Sequence, residues 1–76
     1  MSDPQIIAQI QKNKGEIIQV SLAPFNGHDL AHLRIFWLKT DTGEYLPSKK
    51  GISFRTALLP DVIEALQQAS DQADQQ

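Results

Sequence analysis

Residues 16–25, EIIQVSLAPF, alternate apolar and polar side chains. Ile18, Val20 and Leu22 point one way, Gln19 and Ser21 the other. A period of two is the mark of a half-buried strand. Pro24 ends this run, and Asn26-Gly27 directly after it is the dipeptide that most strongly signals a two-residue hairpin. The return run, HDLAHLRIFWLKT, sets Ala31, Leu33 and Ile35 on one face and His32 and Arg34 on the other. DTGE over 41–44 reads as a second turn, and Tyr45-Leu46 as a short third strand. Pro47 to Gly51 reads as a third connection, and GISF over 51–54 as a fourth strand.

The two ends carry a different period. Asp3 and Pro4 form a cap and first-turn pair, Ile6, Ile7 and Ile10 fall on one helical face, and Gly15 stops the segment. This predicts a short N-terminal helix, although Ile6, Ala8 and Ile10 also alternate as a strand would. After the last strand, Thr56 is placed to cap a helix and Pro60 suits a first turn. Val62, Ile63, Leu66 and Ala69 then make one apolar stripe. The closing SDQADQQ is polar and expected to fray. The chain thus reads as an α+β domain, a four-stranded antiparallel meander followed by a C-terminal helix. Its parts are an N-terminal extension over 1–15, a folded unit over 16–70 and a polar tail over 71–76.

With 76 residues the chain is one domain. A core of that size rarely supplies more than about 3–5 kcal/mol and often needs a staple. The sequence contains no cysteine, which rules out disulfides and thiolate metal sites and leaves oligomerisation. No apolar run approaches the roughly 20 residues of a membrane span, and MSDPQII does not begin like a signal peptide. The expected location is the cytoplasm, or the nucleus in a eukaryote, with no membrane partner. The net charge of −2 speaks against a polyanion, but its distribution does not. Between residues 12 and 55 lie Lys12, Lys14, Arg34, Lys39, Lys49, Lys50 and Arg55, against Glu16, Asp29, Asp41 and Glu44. Beyond Pro60 there are only acids: Asp61, Glu64, Asp71 and Asp74. Local potential decides where a polyanion docks.

Candidate chemistry follows from that middle segment. Arg34 and Phe36 share a strand face, Phe25 lies at the first hairpin, and Trp37 sits near the end of the second strand. Single-stranded nucleic acids are held by aromatic faces that stack bases and by basic side chains that track phosphates. The competing reading is that Phe and Trp in strands belong to the core. Within PSKKGISF, adjacent Lys49 and Lys50 on an extended chain would point to opposite sides. Pro47, Ser48 and Gly51 supply a turn that lets both serve one groove, with Ser48, Ser53 and the Gly51 amide as further phosphate donors. HDLAH echoes the zinc helix signature, but on a strand His28 and His32 stand roughly 13 Å apart. No Ser/His/Asp set, paired carboxylate or phosphate loop stands out. Neither a metal, a cofactor nor a catalytic residue is expected.

VSLAPFNGHDLAHLRIFW followed by TGEYLPSKKGISF resembles the positive cofactor four family of transcriptional coactivators, over roughly residues 19–54. The resemblance implies a curved sheet, a homodimer built partly through its helices, two channels that hold single strands in opposite directions, and no enzymatic activity. Carried over by position, Phe25 and Trp37 contact bases, Arg34, Lys49 and Lys50 meet phosphates, and Gly51 lets the backbone approach the bound strand. Phe36 is a further aromatic candidate. Asn26 and His28 stand where family members place lysines, as does Leu46, and Lys39 partly compensates. The helix lacks the family's opening acid and tryptophan, so Val62, Ile63 and Leu66 are assigned to the dimer interface from their stripe alone. The expected partners are single-stranded DNA, a second copy of the chain, and transcription or replication proteins. The rival function is a protein-interaction module whose exposed sheet edge or apolar patch docks another chain.

Overall fold

A computed structural model describes residues 4–75. Its elements are β1 (Gln5–Asn13), β2 (Glu16–Phe25), β3 (His28–Lys39), β4 (Glu44–Arg55), the short 3-10 helix η1 (Thr56–Leu58) and α1 (Leu59–Asp74). The strands form one curved antiparallel sheet in the order β1-β2-β3-β4, so each strand is bonded to its sequence neighbours. The four-stranded meander and C-terminal helix match the reading of the pattern, but two elements differ from it.

The expected N-terminal helix is a strand. Asp3, its supposed cap, lies outside the described residues. Ile6 pairs with Ser21 and Ala8 with Val20, so Ile7 is the extra residue of a β-bulge. That insertion breaks the period of two and places three isoleucines at helix-like spacing. Pairing with β2 then satisfies the backbone N–H and C=O groups that a lone helix turn would have had to satisfy by itself. The Asn13 side chain accepts a 2.9 Å hydrogen bond from the Gly15 N–H and fixes the turn into β2.

The second correction concerns Tyr45-Leu46 and GISF. They are the two ends of one strand, β4, and Pro47–Gly51 is not a connection. Phe36 pairs with Pro47 and Arg34 with Gly51, so Ser48, Lys49 and Lys50 stand opposite Ile35 alone. The insertion interrupts the ladder without turning the chain away.

Register divides the sheet into unlike faces. One carries Gln9, Gln19, Ser21, His32, Arg34 and Ser53, with Ile17 and Phe36 paired at one end. The other carries Ile10, Ile18, Val20, Leu22, Ala31, Leu33, Ile35 and Ile52. Among the described residues, only Ile17 and Ala31 of the apolar side chains are buried, while Ile10 and Ile52 remain 54% and 60% exposed. Helix α1 continues directly from η1 and hardly touches the strands. Its first turn holds Pro60 and Asp61, as a helix N-terminus favours. Thr56 is not its cap, because the 3-10 turn intervenes and the N-cap position falls on Leu58 without a side-chain bond. The expected frayed tail is helical through Asp74, where Gln67 Nε2 donates to Asp71 Oδ1 at 3.0 Å.

Candidate nucleic-acid interface

The β2–β3 hairpin closes through Asn26 and Gly27, with φ of 51° and 78°. Two successive left-handed residues define the turn whose twist matches paired strands, and Asn-Gly adopts it at low cost. The turn leaves Phe25, paired with His28, 63% exposed at the sheet's end. A large aromatic side chain held out on a tight hairpin is available for stacking, with the polar Asn26 and His28 beside it.

Along the polar face, Pro4, Gln19, Ser21, Ala23, His32, Arg34, Phe36 and Pro47 line a shallow groove of about 250 Å³. Its floor is cross-linked by side chains. Gln9 Nε2 donates to Gln19 Oε1 at 2.9 Å, and His32 Nδ1 shares a 2.7 Å hydrogen bond with Ser53 Oγ. Arg34 and Phe36 therefore meet in one concavity, as the strand period predicts. The glutamine pair escaped the sequence reading because it depends on β1 being a strand.

The β4 insertion sits at the edge of this groove. Arg34 Nη1 donates to the Ser48 carbonyl at 2.8 Å. Ser48 Oγ donates to the Ile35 carbonyl at 2.7 Å and accepts the Lys50 N–H at 3.1 Å. Lys49 and Lys50 are exposed. A Cβ on Gly51 would lie 2.5 Å from the Leu33 carbonyl oxygen and 2.9 Å from Arg34 Cα. The glycine thus has an internal purpose: it lets β4 return to the ladder immediately after the bulge.

Trp37 and Lys39 belong to the opposite face from Arg34 and Phe36, so the structure does not gather all the aromatic and basic candidates on one surface. Trp37 is 42% exposed and stands directly opposite Glu16. The Glu16 carboxyl is held below its ordinary pKa, first by a hydrogen bond from Asn13, then by Lys12, with the charge of Lys50 adding to the effect. Asn13 Nδ2 and Lys12 Nζ donate to its Oε1 at 2.8 and 3.1 Å. Val62, Ile63 and Leu66 lie on α1, away from the groove's lining, with Ile63 and Leu66 62% and 60% exposed.

The family profile of Transcriptional Coactivator p15 (PC4) matches residues 12–65. The chain belongs to the PC4 family. A crystal structure of a PC4 homologue from Burkholderia pseudomallei superposes with a TM-score of 0.81 at 31% identity, covering 92% of this chain and 93% of that one. Its second crystal form gives 0.78 at 32% identity, covering 90% and 98%. A bacteriophage T5 homologue of PC4, implicated in recombination-dependent DNA replication, shares the fold with a TM-score of 0.71 at 24% identity, covering 96% and 83%. No curated protein matches the chain. The PC4 profile takes in β2, β3, β4 and the start of α1, hence every candidate from Phe25 to Gly51, and leaves most of β1 outside. PC4 membership ties this protein to a DNA-related role among coactivator-type, DNA-binding proteins. Among the described residues no helix is long and apolar enough to cross a membrane.

Proposed function

We propose that this PC4-family protein is a non-enzymatic, homodimeric single-stranded-DNA-binding protein of transcription, replication or recombination. One observation carries the reading: the exposed lysine pair is mounted on a braced bulge beside a groove that holds Arg34 and Phe36. Lys49, Lys50 and Arg34 take phosphates, Phe25, Phe36 and Trp37 offer stacking faces, and Asn26, His28 and Lys39 flank the path. Gly51 permits the bulge. Residues 16–70 form the binding unit, with β1 buttressing its groove through the glutamine pair. The strand runs from the groove around the β4 edge to Trp37, which reconciles candidates on both faces.

Dimerisation is supported by the uncovered apolar surface. A lone chain with two buried apolar side chains, Ile17 and Ala31, among its described residues has little to hold it together. A second copy covers the apolar sheet face and the α1 stripe of Val62, Ile63 and Leu66. Titration of a fluorescent single-stranded oligonucleotide against the same sequence as duplex tests the function. Single strand is expected to bind more tightly and with little sequence preference. Equal competition by duplex refutes stacking, and no binding of either leaves the protein-interaction module.

A further inference from the structure

A bulge that inserts several residues opposite one strands backbone groups on both sides of the gap. Ile35 lies opposite the whole insertion, where the one-to-one register of β3 and β4 is broken. Lys50 lies inside the insertion and has no register partner on β3. One hydroxyl answers both. Ser48 Oγ gives its proton to Ile35 and takes the one from Lys50, which uses the donor and acceptor capacity of a hydroxyl together. Arg34 closes the arrangement by donating Nη1 to the Ser48 carbonyl. The guanidinium keeps its other N–H groups for an anion. Ser48 is half-buried, whereas Lys49 and Lys50 are exposed.

We infer that Ser48 is a positioning residue, which with Arg34 holds the Lys49–Lys50 bulge in the shape that presents both ammonium groups to a nucleic-acid backbone. The inference rests on the proposed single-strand binding. It adds that the lysines act as a preset pair and that Ser48 works through them without touching DNA. A binding loop loses backbone freedom when its ligand orders it. A backbone already fixed at Lys50 removes part of that loss before the ligand arrives.

The test is a double-mutant cycle with a fluorescent single-stranded oligonucleotide. Ser48→Ala is expected to weaken binding about five-fold, the equivalent of one neutral hydrogen bond. In a Lys49→Ala/Lys50→Ala background the same change should alter affinity less than about two-fold, because there is no longer a pair to present. Ser48→Cys, close in size but a weak donor, should behave like Ser48→Ala, and Ser48→Thr should restore binding. A merely structural serine would cost the same affinity in both backgrounds, which overturns the inference. So does wild-type affinity in Ser48→Ala. Hydrogen exchange on the unaltered protein gives a reading independent of any variant's folding. The Lys50 amide should exchange at least about ten-fold more slowly than an unprotected amide, and free exchange overturns the proposal. The lysine variant separates the two levels. If its salt dependence equals that of the parent, the lysines do not meet phosphates and the functional reading itself fails in that half. If its salt slope falls while Ser48→Ala binds normally, only the positioning role is lost.

Discussion

At the scale of single residues, the sheet sets two requirements that substitution can measure. Gly51 stands where any side chain would collide with the β3 backbone at Leu33 and Arg34. Backbone cannot yield as a flexible side chain can, so Gly51→Ala is expected to cost about 1–3 kcal/mol in urea denaturation, as overpacking does. Glu16 makes the second case. Its lowered pKa arises from Asn13 first and Lys12 next. A carboxyl whose folded pKa is depressed contributes stability above its unfolded value and loses it as pH falls through the folded one. A carbon-detected NMR titration should therefore place the Glu16 midpoint below the ordinary 4.5. Asn13→Ala should move it back up, and an unmoved midpoint would transfer the cause to the lysines. Arg34 and Phe36 were legible at this scale because the strand period alone puts them on one face. Ser48's inward bonds were not, since they exist only where the ladder is interrupted.

At the scale of elements, β2, β3 and their hairpin were plain in the sequence because alternation and Asn-Gly point to the same structure. The ends of β4 were visible and its continuity was not: Pro47, Ser48 and Gly51 carry turn chemistry that tertiary pairing turns into a bulge. β1 failed for the mirror reason, an inserted Ile7 that mimics a helical face. The β4 bulge and the end of β3 should separate in their response to salt. Lys49→Ala/Lys50→Ala is expected to flatten the log–log salt dependence of single-strand binding by roughly 1.4, at about −0.7 per phosphate contact. Trp37→Ala should weaken binding by about 1–3 kcal/mol while leaving the slope alone, since stacking releases no counterions. Trp37 is partly exposed, so this variant should stay folded, as thermal melting would report. A folded Trp37→Ala protein with full affinity would confine stacking to Phe25 and Phe36.

At the scale of the whole molecule, extents of 41 × 37 × 18 Å describe a thin sheet with a projecting helix. Such a shape leaves its apolar face and its helix stripe for another chain to cover. Sedimentation at micromolar concentration is expected to give twice the mass of the single chain. Ile63→Glu and Leu66→Glu, which place charge on the exposed stripe of α1, should shift the protein to monomer and lower its melting temperature together. A parent protein that sediments as a monomer and melts cooperatively would contradict this.

The strand order β1-β2-β3-β4 bears on how quickly that surface appears. Every ladder joins chain neighbours, so no pairing waits for a distant segment, and low sequence separation between contacts makes for rapid folding. Hairpins close in about 1–10 μs, whereas the two chains of the proposed dimer must first find one another. Refolding from urea should accordingly show a fast phase in which sheet signal returns at a rate independent of protein concentration. A slower phase, in which Trp37 and helix signals settle, should have a half-time that doubles each time the solution is diluted two-fold. In the proposed dimer, the meander would thus leave collision between protomers as the slow step in forming the protein.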